Sequence, residues 1–303
     1  MAVINSNYQL VTDRIVTMLE AGAAPWRKPW VEGVGPAALG RPLRVGGQPY
    51  RGINTVNLWI AAQLRGYKSP YWLTYKAAQS YGAFVKKGER AECAFFAGSA
   101  TKTRTDENTG EESEHSFSFL KSYAVFNADQ IEDLPDHFYC ATRPVQPIDA
   151  GKRHAEADRF FDASGAALRH GGDRAYYSPS TDHIQMPVFD AFAQPEGYYG
   201  TLLHELVHWT SAPKRCDRTL GKRFGDNAYA AEELVAELGS AFLCADLAVT
   251  SGPPREDHAS YIASWISVLK SDNRAIFRAA ALAEAACKFL HDASEAEAVQ
   301  IAA

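Results

Sequence analysis

Residues 199–209, Tyr-Gly-Thr-Leu-Leu-His-Glu-Leu-Val-His-Trp, hold His204 and His208 four positions apart, with Glu205 between them, inside an apolar run. A helix places residues four apart on one face, so two imidazoles at this spacing can grip one Zn²⁺ while Glu205 reaches the attacking water. The stretch therefore predicts a core helix carrying the apparatus of a zinc hydrolase. The implied chemistry is amide hydrolysis, in which the metal polarises a carbonyl and acidifies water, and Glu205 moves the proton to the leaving amine. A third-histidine arrangement would need Gly at 211 and His at 214, where the chain has Ser211 and Lys214. The third protein ligand is then expected to be a carboxylate, in the His₂Glu manner.

A second apolar helix pattern, residues 230–242, offers three candidates, Glu232, Glu233 and Glu237. Glu233 and Glu237 are four apart and share a face, so one can bind the ion while the other orients an imidazole through its free ring N–H. The stretch resembles zinc peptidases in which the ligand glutamate precedes an acidic partner by four positions. That resemblance implies Glu233 as ligand and Glu237 as the orienting group, with Glu232 and Glu237 as competitors for the ligand position. Zinc is the default ion for such a set, and manganese or cobalt also fit it. An oxyanion donor is expected among Tyr176, Tyr177, Tyr229 and His183, with no basis in the sequence for choosing.

The 303 residues are 46% hydrophobic, enough to bury a large core and long enough for two domains. No run of about 18 apolar residues could span a bilayer, and the first residues lack the basic and apolar regions of a secretion signal. A cytoplasmic protein without membrane contact is the expectation. Five scattered cysteines form no C-x-x-C pair, and Cys244 and Cys287 read as buried thiols. The net charge of −5 conceals an asymmetry. Residues 1–104 carry 14 Lys and Arg against 5 Asp and Glu, while the remainder carries 17 against 31. A basic N-terminal third suggests a polyanion partner, and attraction between a basic and an acidic domain is the competing reading.

Apolar spacing predicts helices over 8–22, 54–64, 72–81 and 152–169, and around 257–270 and 273–291. Strands are expected at 91–96 and 119–126, joined by a polar loop over 101–116, and short paired strands at 175–177 and 183–186. Thr142-Arg-Pro-Val-Gln-Pro147 marks a boundary between residues 1–140 and 148–303. The fold class is α+β, with an N-terminal α/β domain followed by a mainly helical domain with a small sheet.

The N-terminal part interleaves aromatic rings with cations in Pro25-Trp-Arg-Lys-Pro-Trp30, Tyr50-Arg-Gly-Ile-Asn54, Tyr67-Lys-Ser-Pro-Tyr-Trp72 and Thr74-Tyr-Lys76. Rings can stack on unpaired bases while Lys and Arg neutralise the backbone, which favours single strands over duplex. The candidate contacts are Trp26, Arg27, Lys28, Trp30, Tyr50, Arg51, Asn54, Trp72, Tyr75, Lys76, Lys86 and Lys87. About half of the rings are expected to be core instead, with Trp26, Trp30, Tyr50 and Tyr75 undecided.

Several motifs occur in one order: Trp-Arg-Lys-Pro-Trp at 26–30, Tyr-Arg-Gly-Ile-Asn at 50–54, Trp-Leu-Thr-Tyr-Lys at 72–76, Gly82-Ala-Phe-Val-Lys-Lys-Gly88, Val125-Phe-Asn-Ala-Asp-Gln-Ile131, then the two metal helices. In this the chain resembles the ArdC antirestriction proteins of conjugative plasmids. The resemblance implies a single-stranded-DNA-binding domain over 1–140, a zincin-like metallopeptidase domain over 148–303, and protection of incoming plasmid DNA from host restriction. A host protein substrate or a restriction enzyme would then be a further partner. Two other functions compete: a DNA-dependent protease that removes crosslinked or stalled proteins, and a non-enzymatic acidic surface that competes with DNA for restriction enzymes.

Overall fold

The computed structural model describes residues 2–26, 40–105, 112–139, 152–220, 227–249 and 258–302. The N-terminal half opens with α1 (Ala2–Glu20) and α2 (Ile53–Arg65). A three-stranded sheet follows, in the order β1 (Trp72–Leu73), β4 (Glu112–Asn127), β3 (Glu92–Thr105), with the short α3 (Tyr75–Ser80) after β1. A two-stranded piece pairs β2 (Phe84–Val85) with β5 (Ile131–Glu132). The C-terminal half holds α4 (Ala155–Ala163) and a small sheet ordered β6 (Ala167–His170), β8 (His183–Met186), β7 (Tyr176–Ser178). Four helices complete it: α5 (Pro195–Trp209), α6 (Asn227–Asp246), α7 (His258–Ser271) and α8 (Ala275–Ala302).

Three local expectations are corrected. Residues 72–81 are not one helix, because Trp72 and Leu73 pair with Asn127 and Phe126, and the Thr74 side chain then caps α3 by accepting from Ala77 N–H. The polar stretch 101–116 is mostly strand, since β3 and β4 stay in register from Glu92↔Val125 to Thr105↔Glu112. Thr101, Thr103 and Thr105 alternate with Lys102 and Arg104, and β-branched residues favour strand. The helix expected over 152–169 is α4 alone, after which residues 167–170 form β6, parallel to β8.

One large cluster of buried apolar residues spans the two halves, beside two smaller clusters within the N-terminal half. Val11, Ile15 and Leu19 of α1, Trp26, and Ile53, Val56 and Trp59 of α2 belong to the same core as Leu206, Leu234, Phe242 and Trp265. Arg41, 6% exposed, ties the halves further, donating to Asp246 at 2.7 Å and to Glu284 at 2.6 Å. The expected boundary at 142–147 lies outside the described residues.

Local chemistry explains the Tyr50-Arg-Gly-Ile-Asn54 motif without a ligand. Tyr50 is core, and Gly52 sits at φ 56°, where an L side chain is strained, with its N–H on Glu284. Asn54 both donates to and accepts from the Phe95 backbone, at 2.8 and 2.7 Å, and Asn57 donates to the Cys93 carbonyl. The two asparagines, three apart on α2, thus satisfy the outer edge of β3, which its own sheet leaves unpaired.

Candidate metal centre

Helix α5 starts at Pro195, whose missing N–H costs nothing at a first turn, and its residues from Thr201 to Trp209 are all buried. It crosses α6 closely because Gly239 faces Val207: a Cβ on Gly239 would come within 2.7 Å of a Val207 methyl. This approach lets a carboxylate on α6 meet the imidazoles of α5. His204 Nε2 lies 3.1 Å from His208 Nε2 and 3.5 Å from one Glu233 oxygen, and His208 Nε2 lies 3.4 Å from the other. One donor atom from each of the three residues falls within 4.8 Å of the other two.

The donor set fits a divalent ion. Bonds of about 2.0–2.1 Å at tetrahedral angles would separate donor atoms by roughly 3.3 Å, close to the distance between the two imidazole nitrogens and to that from each of them to its nearer Glu233 oxygen. The opposite ring nitrogens are engaged by carboxylates: His204 Nδ1 lies 3.6 Å from Glu237, and His208 Nδ1 lies 3.3 Å from Glu232. With those nitrogens protonated, the two Nε2 lone pairs converge on one point, which is unfavourable unless a cation or proton sits there. Glu205, also buried, lines the same cavity of about 200 Å³ as His204, His208, Glu233, Tyr229 and Tyr261.

Arg218, which the sequence reading did not single out, completes the arrangement. Its side chain is 4% exposed, donates to both Glu232 oxygens at 3.1 and 2.8 Å, and reaches Thr210 Oγ1 and the Val207 carbonyl. Glu232 thus holds His208 and is itself held by Arg218. No spacing signal marks an arginine 14 positions before its partner in a separate segment. Burial pushes the Glu232 and Glu233 carboxyls upward, but their histidine partners, with Arg218 on Glu232, hold both below the usual range. Burial lowers the His208 imidazole, and hydrogen bonds to Glu232 and Glu233 outweigh it, raising the pKa to about 10. An ion entering here displaces that proton, so binding weakens in acid.

The candidate nucleic-acid residues fare unevenly. Trp26 and Trp72 are each 1% exposed and Tyr50 3%, so none presents a ring face to a base. Trp26 packs edge-on against Trp265, and Trp72 against Tyr67. These three rings and Asn54 are corrected to structural roles, because each fills the core or braces a strand. Arg51 is exposed and lies 3.7 Å from Glu284. Tyr75, Lys76, Lys86 and Lys87 are exposed on α3 and the turn after β2. Tyr81 and Phe84, which the sequence reading left out, are exposed there as well. Arg27, Lys28 and Trp30 lie outside the described residues.

The fold and donor set define a zincin-like metallopeptidase domain, and a family profile described as "Zincin-like metallopeptidase" matches residues 155–282. A second profile, "N-terminal domain of anti-restriction factor ArdC", matches residues 5–126. The metal-free crystal structure of the antirestriction ArdC protein from the R388 plasmid superposes with a TM-score of 0.77 at 42% identity, covering 95% of this chain and 97% of that one. Its Mn(II)-bound structure gives 0.74 at 41% identity. An uncharacterized protein of Sinorhizobium fredii is 41% identical over 94% of this chain and 91% of its own length. The chain is also 40% identical to a DNA primase TraC of Escherichia coli, aligning over 91% of itself but only 26% of the primase. The chain belongs to the ArdC antirestriction family. No helix among the described residues is long and apolar enough to cross a membrane.

Proposed function

We propose that this chain is a divalent-metal peptidase whose N-terminal half binds single-stranded DNA, and that it protects incoming plasmid DNA from host restriction. The observation that carries the peptidase reading is the convergence of His204, His208 and Glu233 on one point beside Glu205, in an open cavity. When bound, the ion polarises a carbonyl and makes a neighbouring water acidic. Zinc is the default for this donor set, and the Mn(II)-bound R388 relative supports a site that also accepts manganese. Glu205 takes the water's proton and delivers it to the nitrogen of the breaking amide. Glu233 supplies a negative ligand already ionised, while Glu237 and Glu232 fix the orientation of His204 and His208.

DNA binding is supported by the family membership, by the excess of Lys and Arg before residue 105, and by exposed Tyr75 beside Lys76, Lys86 and Lys87. The test is Glu205→Gln in a DNA-transfer assay into a restricting host, alongside proteolysis by the metal-loaded protein. Loss of protection with metal binding retained is expected; unchanged protection would show that proteolysis is not its basis. The shared core of the two halves favours a second reading, a protease of DNA-bound proteins whose activity responds to DNA. Cleavage stimulated by single-stranded DNA and abolished by chelators would support it, and indifference to DNA would exclude it.

A further inference from the structure

The paired strands β3 and β4 outrun the sheet they belong to. β1 meets β4 only at Asn127 and Phe126, whereas β3 pairs with β4 from Glu92↔Val125 to Thr105↔Glu112, so a two-stranded ribbon extends past β1. Side chains alternate across a strand, and the two faces of this ribbon differ. One face turns Phe95 and Leu120 into the large core. The other is roofed by Tyr50 and by Leu58 and Ala61 of α2 as far as Ala94 and Tyr123. Beyond that pair the same face carries Phe96 opposite Lys121 and Gly98 opposite Phe119, and Phe96 is 55% exposed.

Gly98 shapes this surface. A Cβ there would lie 2.6 Å from the Phe119 ring and 3.1 Å from the Phe96 ring, so both rings close over a position that has to lack a side chain. Their centroids are 6.2 Å apart, and the exposed Lys121 places Nζ 5.0 Å from the Phe119 centroid. A second exposed cation belongs to the same face: Arg44 stands 5.2 Å over the Tyr50 ring, and the Tyr50 hydroxyl bonds Tyr123. Shielding a strand glycine takes one ring, and Phe96 adds a second whose larger part faces water.

We propose that Phe96 and Phe119 form a stacking platform for unpaired bases of single-stranded DNA, with Lys121 and Arg44 on its phosphates. The platform rests on the DNA reading above and adds to it a site separate from the lysines of α3 and of the turn after β2. Strand-borne rings with a free face stack on any base, and cations beside them neutralise the linking phosphates. A protein partner covering the two rings would have to strip water from Lys121 and Arg44, whereas a phosphate backbone pairs with both. Duplex fits poorly, because its bases already stack on one another.

Fluorescence anisotropy of a labelled oligothymidylate, across a salt series and with the full chain, tests the platform. Losing one base–ring stack weakens binding by about 5–100-fold. Phe96→Leu should show that loss with an unchanged slope of log affinity against log salt, an unchanged melting temperature and unchanged affinity for duplex of the same length. Phe96→Trp, which restores a ring, should bind at least as tightly as wild type. Lys121→Gln should lower the slope by about 0.7. Equal affinity of Phe96→Leu and wild type overturns the platform alone, as does a loss shared by Phe96→Trp or by duplex. So does self-association of the wild type in sedimentation that Phe96→Leu abolishes while DNA affinity stays constant, since the rings would then join two copies. A wild type that binds no oligothymidylate would overturn the DNA reading and the platform together.

Discussion

Replacing Glu232 with Gln separates the two tasks of one buried carboxylate. Glu232 is 4% exposed and faces His208 Nδ1 on one side and the Arg218 guanidinium on the other. The amide keeps the shape and one acceptor but removes the charge, stranding a cation that is itself 4% exposed. Breaking a buried pair from one side costs about 3–5 kcal/mol, and the amide's remaining hydrogen bonds argue for the lower end. At about 2–4 °C per kcal/mol, the melting temperature should fall by roughly 6–12 °C. His208 also loses its anionic partner, and removing such a partner typically weakens metal binding about 10–100-fold. The assay is Zn²⁺ competition against a chromophoric chelator at a temperature where the variant is fully folded. The double variant Arg218→Met with Glu232→Gln then discriminates, since it removes the stranded charge. It should recover most of the stability while leaving metal affinity low. Unchanged affinity in Glu232→Gln, or affinity restored in the double variant, would refute the reasoning.

Gly239→Ala should push α6 away from α5, because the added methyl meets Val207 within 2.7 Å. About 1–3 kcal/mol of stability should be lost, together with metal affinity, and a fully stable variant with wild-type Zn²⁺ binding would contradict the close-crossing account. Arg41→Met removes the buried cation that Asp246 and Glu284 share, leaving them only His291 and the exposed Arg51, and should cost about 3 kcal/mol in urea unfolding, with loss in both halves at once. For Asp246, burial raises the pKa, but His291 and Arg41 more than reverse this and hold it below its ordinary value. Its folded value being depressed, its contribution is complete above the unfolded value of about 3.9 and disappears as pH falls through and below that point. Acid unfolding of Asp246→Asn followed by circular dichroism should therefore be less steep below about pH 4 than in wild type. Lys76→Gln, Lys86→Gln and Lys87→Gln combined should reduce the slope of log affinity for single-stranded DNA against log salt by about 2, at roughly 0.7 per phosphate contact. An unchanged slope would remove this face from the interface.

The metal centre was legible because its chemistry is periodic. Four-residue spacing placed His204 with His208 on one face and Glu233 with Glu237 on another, and apolar flanks announced that both faces were buried. What escaped was whatever depends on two segments meeting. Arg218 carries no local pattern, and Glu232, weighed only as a rival ligand, acquires its role as a brace because Arg218 and His208 converge on it. Gly239 reads in sequence as a weak spot in a helix and matters only because Val207 lies opposite. Trp72 misled for the opposite reason. Its pattern continues a helix, but pairing with Asn127 gives it a strand's geometry, which no local signal could supply.

The basic N-terminal third was read as the mark of a polyanion partner, and the structure divides that charge in two. Arg14 and Arg65 face Glu92, while Arg41 and Arg51 reach across to acids of α6 and α8. These four cations are used within the molecule, two of them to hold the basic half against the acidic one. Among the described residues, the other exposed cations Lys68, Lys76, Lys86, Lys87 and Arg90 cluster in sequence around β1, α3 and β2, and Arg44 lies apart from them. The rings show the same split: Trp26, Tyr50 and Trp72 are buried, whereas Tyr75, Tyr81 and Phe84 are exposed within that same stretch. Interleaved aromatics and cations therefore carry two meanings in this chain, and burial separates them. Trp26, packed on Trp265, belongs to the junction between the halves, Tyr50 and Trp72 to a core within the N-terminal half, and the rings near unburied lysines are the ones with a face to offer a base.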